Sequence, residues 1–208
     1  LRQPEAHVGA YAERVAERKG TLLPCATDSG AMAAAERAPS GLEVRAYGGY
    51  PGPELRSLKP ADDGYHLSLW QGHEPIGDLV IPVYGRHNVA NALAAYEVGR
   101  NLGIDHGTLA EGLRTFAGVK RRMELRGQPK DIAIFDDFAH HPTAVATTLA
   151  GGRERHPDQR IFAVFEPRSA TSCRKIFQQP YTEAFDHADR IWIAANARAA
   201  ELPQDQRF

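Results

Sequence analysis

Cysteine, methionine and tryptophan are scarce in this chain, with two of each among 208 residues. Cys25 and Cys173 lie too far apart in sequence for a zinc knuckle or a CxxC redox pair. Two cysteines are also too few for the disulfide framework of a small secreted domain, so a reducing cytoplasm is the expected compartment. Charge of one sign is lacking too: 25 Lys+Arg stand against 26 Asp+Glu, a formal charge of -1. That balance supplies no field to concentrate polyanions, and neither a nucleic-acid nor a membrane-surface role is expected. No stretch approaches the roughly 18 uninterrupted apolar residues of a membrane span, and Glu5, Glu13 and Glu17 break any signal-peptide pattern at the start. None of the five lysines follows a glycine, which excludes a GxxxxGK[ST] phosphate loop, and no GxGxxG opens a helix after a strand. Internal repeats and low-complexity tracts are absent as well.

What is present is an ordinary folded composition, 42% hydrophobic and 25% charged, enough to bury a core in one or two domains. Residues 4–19 place Val8, Tyr11 and Val15 at helical spacing, with Gly20 as the expected C-cap before a short strand over 21–25. From Gly41 to Pro82 the runs 42–47, 65–70 and 76–81 alternate or are apolar between Gly- and Pro-rich turns, which predicts a small, mainly antiparallel β section. Residues 87–102 carry Val89, Leu93, Tyr96 and Leu102 on one stripe closed by Gly103, and 108–116 supply a second short helix. Gly118 to Arg122 reads as a polar joint. After it come strand (132–135), helix (144–155), strand (160–165), helix (about 178–187) and strand (191–194), an alternation that predicts a parallel sheet with right-handed crossovers. The chain starts at Leu1 rather than a methionine and stops soon after an apolar run, and the expectation is a piece of something longer.

Three constellations could carry chemistry. In Gly85-Arg86-His87-Asn88-Val89-Ala90-Asn91, Asn88 and Asn91 share a helical face at an opening turn, where free N–H groups favour an anionic or polar ligand and amides suit a purine or ribose edge. Asn88 as an N-cap and Asn91 as a satisfied core amide is the plainer alternative. In Asp136-Asp137-Phe138-Ala139-His140-His141-Pro142-Thr143, two carboxylates and two histidines fall where a strand gives way to a helix, the end of a parallel sheet at which ligands bind. A carboxylate there can accept both hydroxyls of a ribose, and a histidine can hold or deprotonate an amine. The alternative pairs Asp136 and Asp137 with Arg121 or Arg122 and leaves the histidines in solvent. Two adjacent histidines without a third ligand at zinc spacing do not make a metal site. In Glu166-Pro167-Arg168-Ser169, after the next strand, Arg168 could grip a carboxylate through a bidentate fork or simply pair with Glu166.

The text GRHNVANALAAY, then KRRMELRG, then FDDFAHHPT resembles the Mur ligase family in motif order and spacing, most closely from about residue 80 to 195. DDFAHHPTA followed by FEPRSAT is most similar to its murein peptide ligase subgroup, although Ala170 interrupts the FEPRS-N-T pattern of that subgroup; the L-alanine-adding subgroup is the alternative. The resemblance implies an α/β chain. Its first part, 1–117, would be an incomplete central ATPase-domain portion of helices plus a small β section. Its second part, 118–208, would be a Rossmann-like parallel βαβαβ portion opening the C-terminal domain that receives the amino acid or peptide.

It further implies an ATP-dependent, Mg2+-requiring amide ligase of peptidoglycan recycling. Such an enzyme joins the tripeptide L-Ala-γ-D-Glu-meso-diaminopimelate, or alternatively L-alanine, to UDP-N-acetylmuramate through an acyl phosphate. The P-loop, the magnesium ligands and the UDP-binding domain are expected upstream of Leu1, so the 208 residues alone should show no turnover. By motif match, His87, Asn88, Asn91, Arg122 and Asp137 take the ATP-binding roles, and His140, His141, Arg168 and Ser169 the substrate-binding ones. A non-catalytic nucleotide-binding module and a folylpolyglutamate synthetase are the competing readings, the latter lacking the HHPT and EPRS text.

Overall fold

The computed structural model describes residues 4–49, 52–167 and 177–195, with side chains from residue 10 onward. The chain divides into an N-terminal unit, residues 1–82 with 88–116, and a C-terminal unit, residues 83–87 with 117–208.

In the N-terminal unit, helix α1 (Pro4–Glu17) leads into strand β1 (Thr21–Leu22), helix α2 (Ser29–Glu36) and strand β2 (Glu43–Val44). α1 ends in a Schellman turn in which Gly20 N donates to Val15 O and Lys19 N to Ala16 O, both at 2.9 Å. Lys19, with φ 52°, holds the left-handed position expected of Gly20, which comes one residue later. Tyr11, expected on the apolar stripe, is 61% exposed, while Ala12 is fully buried. α2 is absent from the sequence reading, although Asp28 caps it through Ala31 N at 2.7 Å and four of its eight residues are alanine, the best helix former. A helical stripe is legible in sequence when its side chains are large, and those of α2 are small.

β2 does not join the antiparallel section: it pairs in parallel with β1, Thr21 opposite Glu43. The antiparallel part is a meander of β3 (Glu54–Ala61), β4 (Gly64–Gln71) and β5 (Glu74–Ile81), in spatial order β3-β4-β5. β4 alternates as a half-buried strand should, with Tyr65, Leu67 and Leu69 inward and His66 out. Leu79 and Ile81 of β5 are buried too, as are Val89, Leu93 and Tyr96 of helix α3 (Arg86–Asn101). Leu102 is 73% exposed and lies off that stripe. Helix α4 (His106–Arg114) packs on β5. Gly77 makes that approach possible: a Cβ there would lie 2.3 Å from His106 Nε2, and the imidazole is fixed in turn by Tyr96 Oη at 2.8 Å from its Nδ1.

Among the described residues of this unit, Glu97 is a buried acid: it is 5% exposed, its Oε2 has no hydrogen-bond partner among them, and Arg100 Nη1 lies 3.7 Å away. Burial raises its pKa above the ordinary carboxylate range, against the opposing pull of Arg100 and Arg45. A raised folded pKa gives stability that is complete below the unfolded value and lost as pH rises through the folded one. Glu97→Gln is therefore expected to raise the thermal midpoint by a few degrees at pH 7 and to leave it nearly unchanged at pH 4. Equal midpoints at both pH values would show that the buried charge costs nothing.

The C-terminal unit contains β6 (Glu124–Gly127), β7 (Ile134–Asp136), α5 (Pro142–Arg155), β8 (Phe162–Phe165), α6 (Gln178–Ala184) and β9 (Arg190–Ile193). The expected β-α-β-α-β order is present, but the parallel pairing is confined to β8 and β9, from Phe162 opposite Arg190 to Phe165 opposite Ile193, and β7 lies in a separate two-stranded sheet. β7 pairs antiparallel with β6, a strand missing from the sequence reading because Glu124-Leu125-Arg126-Gly127 is neither apolar nor flanked by turn residues on both sides. The core gathers Val145 of α5, Ala163 and Phe165 of β8, and Tyr181, Ala184 and Phe185 of and after α6. Gly151 sits in the middle of α5, where glycine weakens a helix, because a Cβ would come 2.9 Å from Gly85 Cα.

Candidate functional site

The loop after β7 is the chemically richest segment of the C-terminal unit. β7 ends at Asp136, α5 begins at Pro142, and the five residues between them leave the strand at its carboxyl end. Pro142 opens the helix where no N–H is needed, and His141 caps it: its Nδ1 accepts from Thr143 N at 3.4 Å. His140 Nδ1 lies 3.0 Å from Phe138 O, an oxygen that can only accept, so this nitrogen carries the proton. The two exposed imidazoles thus hold opposite tautomers when neutral. His140 leaves Nε2 as an acceptor, and His141 leaves Nε2–H as a donor.

Asp137 is partly buried, and both of its carboxylate oxygens accept hydrogen bonds. Oδ2 accepts from Met123 N at 2.9 Å, and Oδ1 accepts from Ala139 N at 2.7 Å and Thr148 Oγ1 at 3.3 Å. Asp136 instead pairs with Arg121, Nε to Oδ2 3.5 Å. The plain alternative for the acidic pair therefore describes Asp136, whereas Asp137 ties backbone.

Opposite this carboxylate lies the joint. Arg121 and Met123 both adopt left-handed backbone, φ 58° and 50°, and Arg122 between them is exposed without an ion pair among the described residues. His87 belongs to the same unit. Its buried Nδ1 has no hydrogen-bond partner among the described residues. Burial lowers its pKa below the usual imidazole value, the Asp137 carboxylate pulls the other way, and Arg122 adds to the lowering. His87, Arg122 and Asp137 are thus electrostatically coupled. A neutral imidazole, a free guanidinium and a carboxylate together can meet a ligand that has hydroxyls and negative charge.

Asn88 and Asn91 lie in the N-terminal unit, in the first turns of α3; Asn91 Nδ2 donates to Asn88 Oδ1 at 3.4 Å. Asn88 is the third helical residue rather than the cap. Arg168 and Ser169 lie outside the described residues. A cleft of about 1010 Å³ in the C-terminal unit is lined by Arg121, Asp137, His140, Thr148 and His156 and by the edges of β7 and β8. Arg121 is an expected partner of the acidic pair and does meet Asp136, whereas Thr148 and Met123, which hold Asp137, are absent from the sequence expectations. A threonine eleven residues along the chain and a backbone N–H carry no local signal, though the ArgArgMet text could have flagged the turn.

Residues 121–206 match the family model described as Mur ligase, glutamate ligase domain. The chain carries a Mur ligase C-terminal domain. Along 187 residues, 89% of the chain, it is 38% identical to a UDP-N-acetylmuramate–L-alanine ligase of Rubrobacter xylanophilus, and it spans 40% of that relative's length. A crystal structure of a murein peptide ligase from Psychrobacter arcticus is 30% identical with a TM-score of 0.56, over 84% of this chain and 37% of that one. The fold alone is shared with a UDP-N-acetylmuramate–alanine ligase from Thermotoga maritima, 20% identical with a TM-score of 0.64 over 83% of this chain and 45% of that one. In this Mur ligase domain the Asp137 loop and the Arg121–Met123 turn both fall within the matched residues. The murein peptide ligase subgroup, expected from the FEPRS text, is a structural neighbour, whereas L-alanine ligases stand among the curated relatives. No helix among the described residues is long and apolar enough to cross a membrane.

Proposed function

We propose that the chain is part of an ATP-dependent ligase that joins an amine to the carboxylate of UDP-N-acetylmuramate, with L-alanine as the acceptor. The observation that carries this reading is the 38% identity to an L-alanine ligase over 187 residues. A second acceptor, the L-Ala-γ-D-Glu-meso-diaminopimelate tripeptide, is favoured by the Glu166-Pro167-Arg168-Ser169 text and by the 30% identity to a murein peptide ligase.

ATP supplies the phosphoryl group that activates the carboxylate. The orphaned Nδ1 of His87 and the free guanidinium of Arg122 fit a nucleotide in chemistry, the first as a hydrogen-bonding group without a partner, the second as a phosphate contact. Asp137 would accept from ribose, and Asn88 and Asn91 would meet the adenine side. His140 Nε2 is the acceptor available to an incoming ammonium, and His141 Nε2–H the donor available to a carboxylate. Arg168 and Ser169 would add to the acceptor's recognition. Magnesium does not fit the residues at hand: among those described, no three of His, Cys, Asp and Glu stand together as a metal-holding group, so no step is assigned to it here.

The test uses the whole ligase that contains this chain. ATP consumption is expected to require UDP-N-acetylmuramate and an amine together, with L-alanine giving the higher kcat/KM. A higher value with the tripeptide would move the acceptor to the second reading. Arg122→Ala is expected to raise the KM for ATP about tenfold, the scale of a lost charge-assisted contact. ATP turnover indifferent to UDP-N-acetylmuramate would overturn the ligase reading.

A further inference from the structure

The turn that presents Arg122 is held by unusual means. Left-handed backbone at a residue with a Cβ is unfavourable, and here it occurs on both sides of Arg122. Four contacts hold the turn. Arg122 N donates to Val119 O at 3.2 Å, and Arg121 N donates to a Glu124 carboxylate oxygen at 2.9 Å. Phe138 N donates to Arg121 O at 2.9 Å, and Met123 N donates to Asp137 Oδ2 at 2.9 Å. The last runs through a carboxylate whose other oxygen takes the hydroxyl of Thr148, in the second turn of α5. Helix, carboxylate and strained turn form one hydrogen-bonded chain.

We propose that Thr148 is a positioning residue that acts through Asp137 on the Val119–Met123 turn, and so sets the direction in which Arg122 meets the phosphates of a nucleotide. This rests on the nucleotide reading given above. Thr148 Oγ1 and Ala139 N together hold Oδ1 of Asp137, Oδ2 holds Met123 N–H, and Met123 fixes the backbone from which Arg122 leaves. The same arrangement makes Asp137 a shared acceptor. A ribose hydroxyl that binds Oδ1 competes with Thr148, so the carboxylate links ribose occupancy to the arginine turn held on Oδ2.

The experiment compares Thr148→Val, which keeps the shape and removes the hydroxyl, with Thr148→Ser, which keeps the hydroxyl. Amide hydrogen exchange at Met123, read against the core amides of Ala163 and Tyr181, separates local loosening from general unfolding. Thr148→Val is expected to speed Met123 exchange about five-fold relative to those core amides, the scale of one net hydrogen bond, with Thr148→Ser close to the original rate. ATP affinity, titrated in the same proteins, is expected to fall by about three- to tenfold with Thr148→Val, by the same scale. That loss should disappear in an Arg122→Ala background, because coupled residues are not additive. Unchanged Met123 exchange, or an equal loss of affinity with and without Arg122, overturns the proposal. If the whole ligase with Thr148 unaltered does not bind ATP while Met123 still responds to Thr148, the nucleotide reading fails and the mechanical link from Thr148 to the turn stands. Should Thr148→Val unfold, Thr148→Ala measured against the same core amides carries the same test.

Discussion

Arg153→Ala is expected to destabilise the C-terminal unit by about 3 kcal/mol, the sum of two or three hydrogen bonds from a charged donor. The guanidinium leaves the last turn of α5 and ties two separate segments to it. Nη1 donates to Gln159 O at 2.6 Å and, more distantly, to the carbonyls of His156 and Pro157 at 3.4 and 3.3 Å. Nη2 donates to His187 O at 3.2 Å and Asp189 Oδ2 at 2.7 Å. The loop before β8 and the loop before β9 are thereby fixed to the end of one helix, which sets where both parallel strands begin. Asp189 accepts a further bond from Ile161 N at 2.7 Å, and that N–H, with Arg153 behind it, lowers its pKa below the usual carboxylate value. A depressed folded pKa means that this contribution is present above the unfolded value and fades as pH falls through the folded one. The Asp189 pair is solvent-screened and adds little by itself; the carbonyls carry the effect. Urea unfolding followed by Trp192 fluorescence measures it, since Trp192 lies in β9 and Trp70 in the other unit. Arg153→Lys should recover only part, one ammonium being unable to span the same acceptors. A loss below about 0.5 kcal/mol, the range of an ordinary surface substitution, would mean that these loops hold themselves.

Nothing in the sequence announced Arg153. It is one of two arginines in Gly151-Gly152-Arg153-Glu154-Arg155, and most of its acceptors are backbone carbonyls, which every residue has. The elements themselves were far more legible. Pro142 and the apolar run of β8 mark α5 and a strand directly, because proline restricts position and a short apolar run between polar residues reads as a strand. Where side chains are small or charged the signal faded: α2 is built from alanine, and β6 is half charged and exists because β7 lies beside it. The same limit governs the candidate site. Asp137 was visible as a carboxylate at a strand end, but its partners are Met123 N, Ala139 N and Thr148, two of them backbone groups whose identity is not written in residue type. His87 was visible in the GRHN text, yet its partnership with Asp137 depends on residues 83–87 packing with the C-terminal unit, a matter of chain path rather than local pattern.

Tyr181→Ala should cost more than any other single change in the C-terminal unit considered above, about 3–5 kcal/mol for removing a large buried ring. Tyr181 is 1% exposed, with Phe165 at 5.2 Å and Phe185 at 6.4 Å between ring centroids. Its hydroxyl donates to His140 O at 2.5 Å, so the ring that fills the core also holds the loop bearing both site histidines. The two roles separate by substitution. Tyr181→Phe keeps the packing and leaves a carbonyl without its partner, a loss of about 1 kcal/mol. The local consequence differs in kind: with His140 O released, the Phe138–His141 loop loses its tie to α6, and the Nδ1 bond from His140 to Phe138 O loosens with it. Proton NMR of the His140 and His141 imidazoles is therefore expected to change in Tyr181→Phe while the resonances of Ala163 and Phe165 stay in place. If the histidine signals are untouched and stability falls only in Tyr181→Ala, the tyrosine serves the core alone, and the loop takes its shape from Asp137 and Pro142 without help from α6.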